Sequence, residues 1–155
     1  MPYKQFVEKY LAKGLIKKQK TDLAAVEQFL KRAQKDLKTA KANLVIDESI
    51  AFTVAYLAML HAGRAFMFMK GWRPDDGAQH KTVVEFVGIF LLENEEKILA
   101  GHFERMRRKR NVFTYDVGIS ISLSETEGAI HSAAKFVRWV CEAVKKEHPQ
   151  REFSF

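Results

Sequence analysis

IAFTVAYLAMLHAGRAFMFM, from Ile50 to Met69, is twenty residues of almost unbroken apolar character, and its reading decides the fold. It is long enough to cross a bilayer. Against that reading stand His61 and Arg64, which would sit near the bilayer centre, where an arginine costs several kcal/mol. A helix buried on most sides by other helices accounts for the same residues. No membrane association is expected.

Working outward from this segment, the neighbouring stretches all repeat at helical spacing. Asp47 and Ser49 offer a helix start before it, and GWRPDDG, from Gly71 to Gly77, supplies the turn chemistry that stops it. Upstream, Leu23, Val26, Phe29, Leu30, Ala33, Leu37, Ala40 and Leu44 line one face of a helix capped by Thr21 or Asp22. Before that, Phe6, Val7, Tyr10, Leu11 and Leu15 mark a short amphipathic helix ending near KKQK. Downstream, apolar spacing from Val83 to Leu91 predicts a helix, with Gly88 and ENEEK as candidate breaks. Another follows from Glu93 to about Phe113. SETE, from Ser124 to Glu127, matches a capping box, and the stripe from Ala129 to Val144 predicts a long last helix. The tail from His148 is expected to be loose, and GISIS could form a two-residue ladder without an evident partner strand.

These segments predict an all-α fold, an antiparallel up-and-down bundle of about five helices. The expected organisation is an N-terminal amphipathic helix over residues 1–20, the bundle over 21–147 and a tail over 148–155. At 155 residues one domain is expected. With 47% hydrophobic and 29% charged residues, the composition is that of a folded protein. Cys141 is the one cysteine, which excludes an internal disulfide and a cysteine-built metal site and fits a reducing, cytoplasmic setting. The N-terminus lacks the uninterrupted apolar core of a signal peptide.

The formal net charge is +7, unevenly spread. Residues 1–43 carry eleven lysines and arginines against four acids. RMRRKRNVFTYD, from Arg105 to Asp116, then places four arginines and a lysine within six positions. Such crowding of like charge points to an anionic partner, RNA, DNA or a nucleotide, contacted through phosphate. Arg105, Arg107, Arg108 and Arg110 are the candidate phosphate ligands, with Asn111 and Tyr115 beside them. His61 and Arg64 share a helix face and, with His80, are candidates for lining a cleft. His61, His102 and His131 have no second histidine at three- or four-residue spacing, so no metal is expected. No cofactor motif is present, and Asp75-Asp76 reads as turn chemistry.

YLAMLHAGRAFMFMKGWRPDDGAQHKTVVEFV, from Tyr56 to Val87, resembles the core of HEPN domains. An apolar, Ala-rich helix with a trailing lysine leads through a loop to a histidine, here His80. Arg110-Asn111, three further positions and Tyr115 then stand where that family carries Arg-x4-His. The resemblance runs from about Asp22 to Val144. It implies a small helical bundle, a homodimer in which both motif copies share one cleft, and an association with a nucleotidyltransferase or antitoxin partner in a toxin-antitoxin setting. Family members with the full motif are metal-independent ribonucleases; those without it are thought to bind nucleic acid, nucleotides or proteins.

Two positions depart from the pattern. Tyr115 replaces the histidine, and Arg64 replaces a glutamate often found in the apolar helix. Cleavage by the 2′-hydroxyl of RNA needs a base, a cation and an acid. A phenol titrating near 10 is a poor base at neutral pH, whereas imidazole near 6.5 is suited to it. If the chain is catalytic, Arg110 and Tyr115 are the catalytic candidates. Their five-residue separation spans about 140° of an ideal helix, so they converge only if the helix ends between them or two chains share the site. The expectation is therefore binding of RNA or nucleotide without cleavage, with a divergent ribonuclease and a protein-interaction module as alternatives.

Overall fold

A computed structural model describes residues 2–75 and 79–155, and of Phe113 the backbone alone. The chain is all-α, with one minimal sheet: α1 (Tyr3–Ala12), β1 (Ile16–Lys18), α2 (Leu23–Asn43), α3 (Glu48–Met69), β2 (Trp72–Pro74), α4 (Gln79–Glu93), α5 (Lys97–Tyr115) and α6 (Leu123–Glu147). The five helices α2 to α6 form the bundle, and α1 is a sixth, laid against it through buried Phe6.

The apolar helix α3 is the centre of the bundle. Two thirds of its most apolar window, 67%, is buried by the surrounding helices. Asp47 caps it, accepting from the backbone N–H groups of Ser49 and Ile50 at 2.9 and 3.2 Å. Asp22, rather than Thr21, caps α2 in the same way. Thr21 instead donates to the carbonyl of Met69.

Side-chain contacts fix the helix directions. Asp36 meets His61 and Phe29 meets Phe68, so α2 opposes α3. His102 meets Ser132 and Lys135 meets Glu96, so α5 opposes α6. Thr126 donates to Glu48 O at one end and Lys70 pairs with Glu147 at the other, so α3 and α6 run in the same sense. The alternation of directions is interrupted once. Gly63 faces Val83 and Val87, and Phe66 packs on Phe90, so α4 starts back beside the middle of α3 and follows its direction.

The segment that carries the chain back includes β2, and here the expectation of no strand is corrected. Helix α1 ends in a Schellman cap, in which Leu15 N–H reaches Tyr10 O, Gly14 N–H reaches Leu11 O, and Gly14 takes a φ of 69°. Helix α3 ends at Gly71, whose N–H reaches Phe68 O and whose φ is 87°. Positive φ at these two positions is what glycine permits at low cost. Each cap aims the following residues away from its helix, and those residues pair antiparallel, Ile16 with Pro74 and Lys18 with Trp72. The KKQK end assigned to the first helix therefore belongs partly to a strand. GISIS forms no ladder; residues 118–122 are irregular.

Two other expectations change. The α6 cap is Ser122, whose Oγ accepts from Glu125 N–H at 3.1 Å, two residues before the SETE box. SLSE is itself an S-x-x-E sequence, and burial of Ile121 and Thr126 selects that register. The tail, expected to be loose, is docked: Ser154 bonds the Glu27 carboxylate through both N–H and hydroxyl, and Lys145 lies over the Phe155 ring. Helix α4 passes through Gly88 without a break, and ENEEK interrupts the chain at Asn94–Glu96, where Glu95 has a φ of 61°. Of the turn GWRPDDG, Asp76 and Gly77 lie outside the described residues, so the reading of Asp75-Asp76 does too.

Candidate functional site

Helix α5 runs unbroken through RMRRKRNVFTY. Its buried stripe is Leu99, Phe103 and Met106. A rotation of about 100° per residue then sends Arg107 to one flank of the stripe and Arg105 and Lys109 to the other, with Arg108 facing outward and Arg110 continuing the line of the stripe itself. The contacts agree with this division. Arg107 and Arg110 act on Tyr56 and His80, whereas Arg105 and Lys109 border a groove against α6. The sequence cluster is thus a belt around the exposed side of the helix, not a single patch.

Carboxylates relieve part of the crowding. Glu104 receives both arms of Arg107, at 3.1 and 2.8 Å, and Nε of Arg108 at 2.8 Å. These bonds, that from Arg107 first, hold the Glu104 carboxyl below its usual range. The same partner raises the pKa of Arg107. Lys109 pairs with Glu125 at 3.3 Å.

On the first flank, Tyr56, Arg110, Arg64, Arg107 and His61 surround His80 near the start of α4. The Tyr56 hydroxyl of α3 lies 3.2 Å from His80 Nδ1. Burial pushes the Tyr56 phenol up to about 12, so it keeps its proton, and its hydroxyl can donate to a bare Nδ1 or accept from an Nδ1–H. Burial lowers the pKa of His80, and the charges of Arg110, Arg64 and Arg107, with His61, lower it further. Arg64 donates through Nη2 to Gln79 Oε1 at 2.8 Å, and burial lowers its pKa too. The Nε–H groups of Arg64 and Arg110 are both buried and have no hydrogen-bond partner among the described residues. A buried donor left without an acceptor is uncommon in a folded protein.

His61 and Arg64 do not form the pair their spacing implied. Arg64 turns to α4, while His61 turns to α2 and donates through Nδ1 to Asp36 Oδ2 at 2.6 Å. The Asp36 side chain is 1% exposed and also accepts from Arg32 Nε at 3.0 Å. Tyr115, the last residue of α5, is 89% exposed. Because the helix does not end between Arg110 and Tyr115, the two do not meet within one chain. Asn111 is half-buried, and Arg105 is exposed and borders the groove against α6.

Tyr56, Gln79, Glu104 and Asp36 were not singled out from the sequence. Asp36 carries a signal in retrospect: it falls three residues after Ala33 and four before Ala40, an acid inside the buried stripe of α2. Tyr56 carries none that separates it from core aromatics. Among the described residues no three histidine, cysteine, aspartate or glutamate side chains cluster as metal ligands would.

A comparison with protein-family models matches the HEPN domain over residues 26–146. The match spans most of the chain, and the protein belongs to the HEPN family. A comparison with curated proteins finds no match.

Proposed function

We propose that this HEPN protein binds RNA or nucleotide phosphate in the cleft between α3, α4 and α5 and does not cleave it. The observation that carries the reading is the pair of buried Nε–H donors on Arg64 and Arg110 that have no partner among the described residues, flanking a histidine kept neutral by its surroundings. Guanidinium forks match phosphate oxygens in geometry and charge. Arg107, held by Glu104, contributes charge more than free donors. The chain acts as a homodimer, alongside a nucleotidyltransferase or antitoxin partner in the cytoplasm.

The test is titration of RNA and of a nucleoside monophosphate at low salt. Arg110→Ala with Arg64→Ala should weaken binding at least tenfold, since charge-assisted hydrogen bonds contribute about 1.5–3 kcal/mol each. Unchanged affinity rejects the reading.

One observation favours a ribonuclease instead. Asp36 fixes the Nδ1–H of His61, which leaves Nε2 as a base. It would accept the 2′-hydroxyl proton as the 2′-oxygen bonds phosphorus and the bond to the 5′-oxygen breaks, with water supplying the proton that the departing 5′-oxygen takes up. Cleavage of RNA in chelator, abolished by His61→Asn, would replace the binding reading with this one.

A further inference from the structure

The second flank of α5 borders a groove that the cleft does not use. It has a volume of about 470 Å³, within the range of small-ligand pockets. Phe52 of α3, Met106 of α5 and Ala129 of α6 contribute its apolar lining, and Arg105, Lys109 and His102 are among its polar groups. Lys109 is paired with Glu125. His102 is tied through Nδ1 to Ser132 Oγ at 2.7 Å, which leaves its Nε2 for another partner. Gly128 also lines the groove, and a Cβ built there meets nothing within 4 Å. A glycine inside a helix weakens that helix; here no close packing requires one, and any side chain would enter open space.

We infer that this groove receives an unstacked base of single-stranded RNA, an inference that rests on the phosphate-binding reading of the cleft. Starting from half-buried Arg110 at the cleft, Arg107, Arg108, Arg105 and Lys109 follow one another around the exposed side of α5 to the groove. A strand crossing the helix keeps its phosphates on cations throughout and arrives where a flat apolar body can leave water. Phosphate supplies affinity without selecting single strands, whereas a splayed base does select them. The groove has the matching chemistry: an apolar slot, an imidazole nitrogen and a carboxylate to meet base edges, and cations at the mouth for the flanking phosphate. A duplex, whose bases stay stacked, gains nothing from it.

The experiment compares RNA of about ten nucleotides as a single strand, as a duplex and as an abasic strand, by anisotropy at low salt. Gly128→Leu fills the groove with a better helix former. It should weaken the base-bearing single strand about tenfold and leave the duplex and the abasic strand unchanged. Arg64→Ala with Arg110→Ala should weaken all three. If Gly128→Leu binds the single strand as tightly as the unmodified protein while the arginine variant does not, the groove assignment is wrong and the cleft stands. If the unmodified protein binds none of the three, both readings fall. Photocrosslinking of 4-thiouracil RNA to the unmodified protein checks the same point without a filled groove. Crosslinks on Phe52, Met106 or Ala129 are expected, and crosslinks confined to α4 overturn the inference.

Discussion

His80 shows how the charges and burial around one side chain enter the stability of the fold. Its folded pKa lies below the ordinary histidine value because of burial and then the charges of Arg110, Arg64, Arg107 and His61. The unfolded chain therefore binds more protons than the folded one below about pH 6.5, and stability must fall as pH drops through that value. Above it the full stability is present. His102, also lowered by burial and by Arg105 and Lys135, acts in the same direction. The thermal midpoint is expected to decrease between pH 7.5 and 5.5, and the decrease should be shallower in His80→Gln. A midpoint independent of pH would contradict the cleft's electrostatics. Tyr56→Phe removes the hydroxyl that hydrogen-bonds His80 Nδ1, at a cost of about 1 kcal/mol, readable by denaturant unfolding. At this scale the sequence was legible only where charge crowds: Arg110 and Arg107 stand out, as does His80 after its turn. Tyr56 does not, because a phenol bonding a histidine and a phenol filling the core occupy an apolar helix identically.

Between elements, close approach is the quantity a sequence hides best. Gly63 of α3 sits where a Cβ would lie 2.6 Å from Val83 Cγ1 of α4. Val83 is branched at Cβ and fully buried, so it has little room to turn aside. Gly63→Ala should cost about 1–3 kcal/mol through overpacking, against the few tenths gained elsewhere from replacing a helical glycine. Unchanged unfolding would mean that the two helices separate more easily than their contact implies. Caps give a second comparison. Ser122→Ala should cost about 1 kcal/mol and Ser124→Ala almost nothing, because only Ser122 Oγ accepts a backbone N–H. Both serines begin an S-x-x-E sequence, so local pattern alone could not choose between them; burial of Ile121 and Thr126 did. The helices themselves were legible from periodicity. The paired strands were not, since three residues give no alternation to read and their partner lies far along the chain.

Across the whole molecule, a charge of +7 makes two copies repel unless they meet where cations are absent. The segments 44–50 and 115–123 contain no lysine or arginine. They lie at the same end of the bundle, joined there by the Thr126–Glu48 bond. Val45 at 92%, Ile46 at 77% and Val117 at 99% are exposed on them, with Ile50, Ile119 and Leu123. Apolar side chains grouped this way form the surface best suited to self-association. The cleft, reached by Tyr56, His80 and Arg110, lies towards that same end. A dimer formed there would set two cation clefts beside one contact, joined by Tyr115, which is then partly covered instead of 89% exposed. Sedimentation at moderate salt should show a dimer, and Val45→Asp with Val117→Asp should shift it to monomer with little change in the thermal midpoint, because neither residue is packed. Raising salt separates this from a charge-driven assembly: screening weakens like-charge repulsion, so an apolar contact tightens with salt while RNA binding loosens. A dimer that dissociates as salt rises would place the contact elsewhere, on ion pairs.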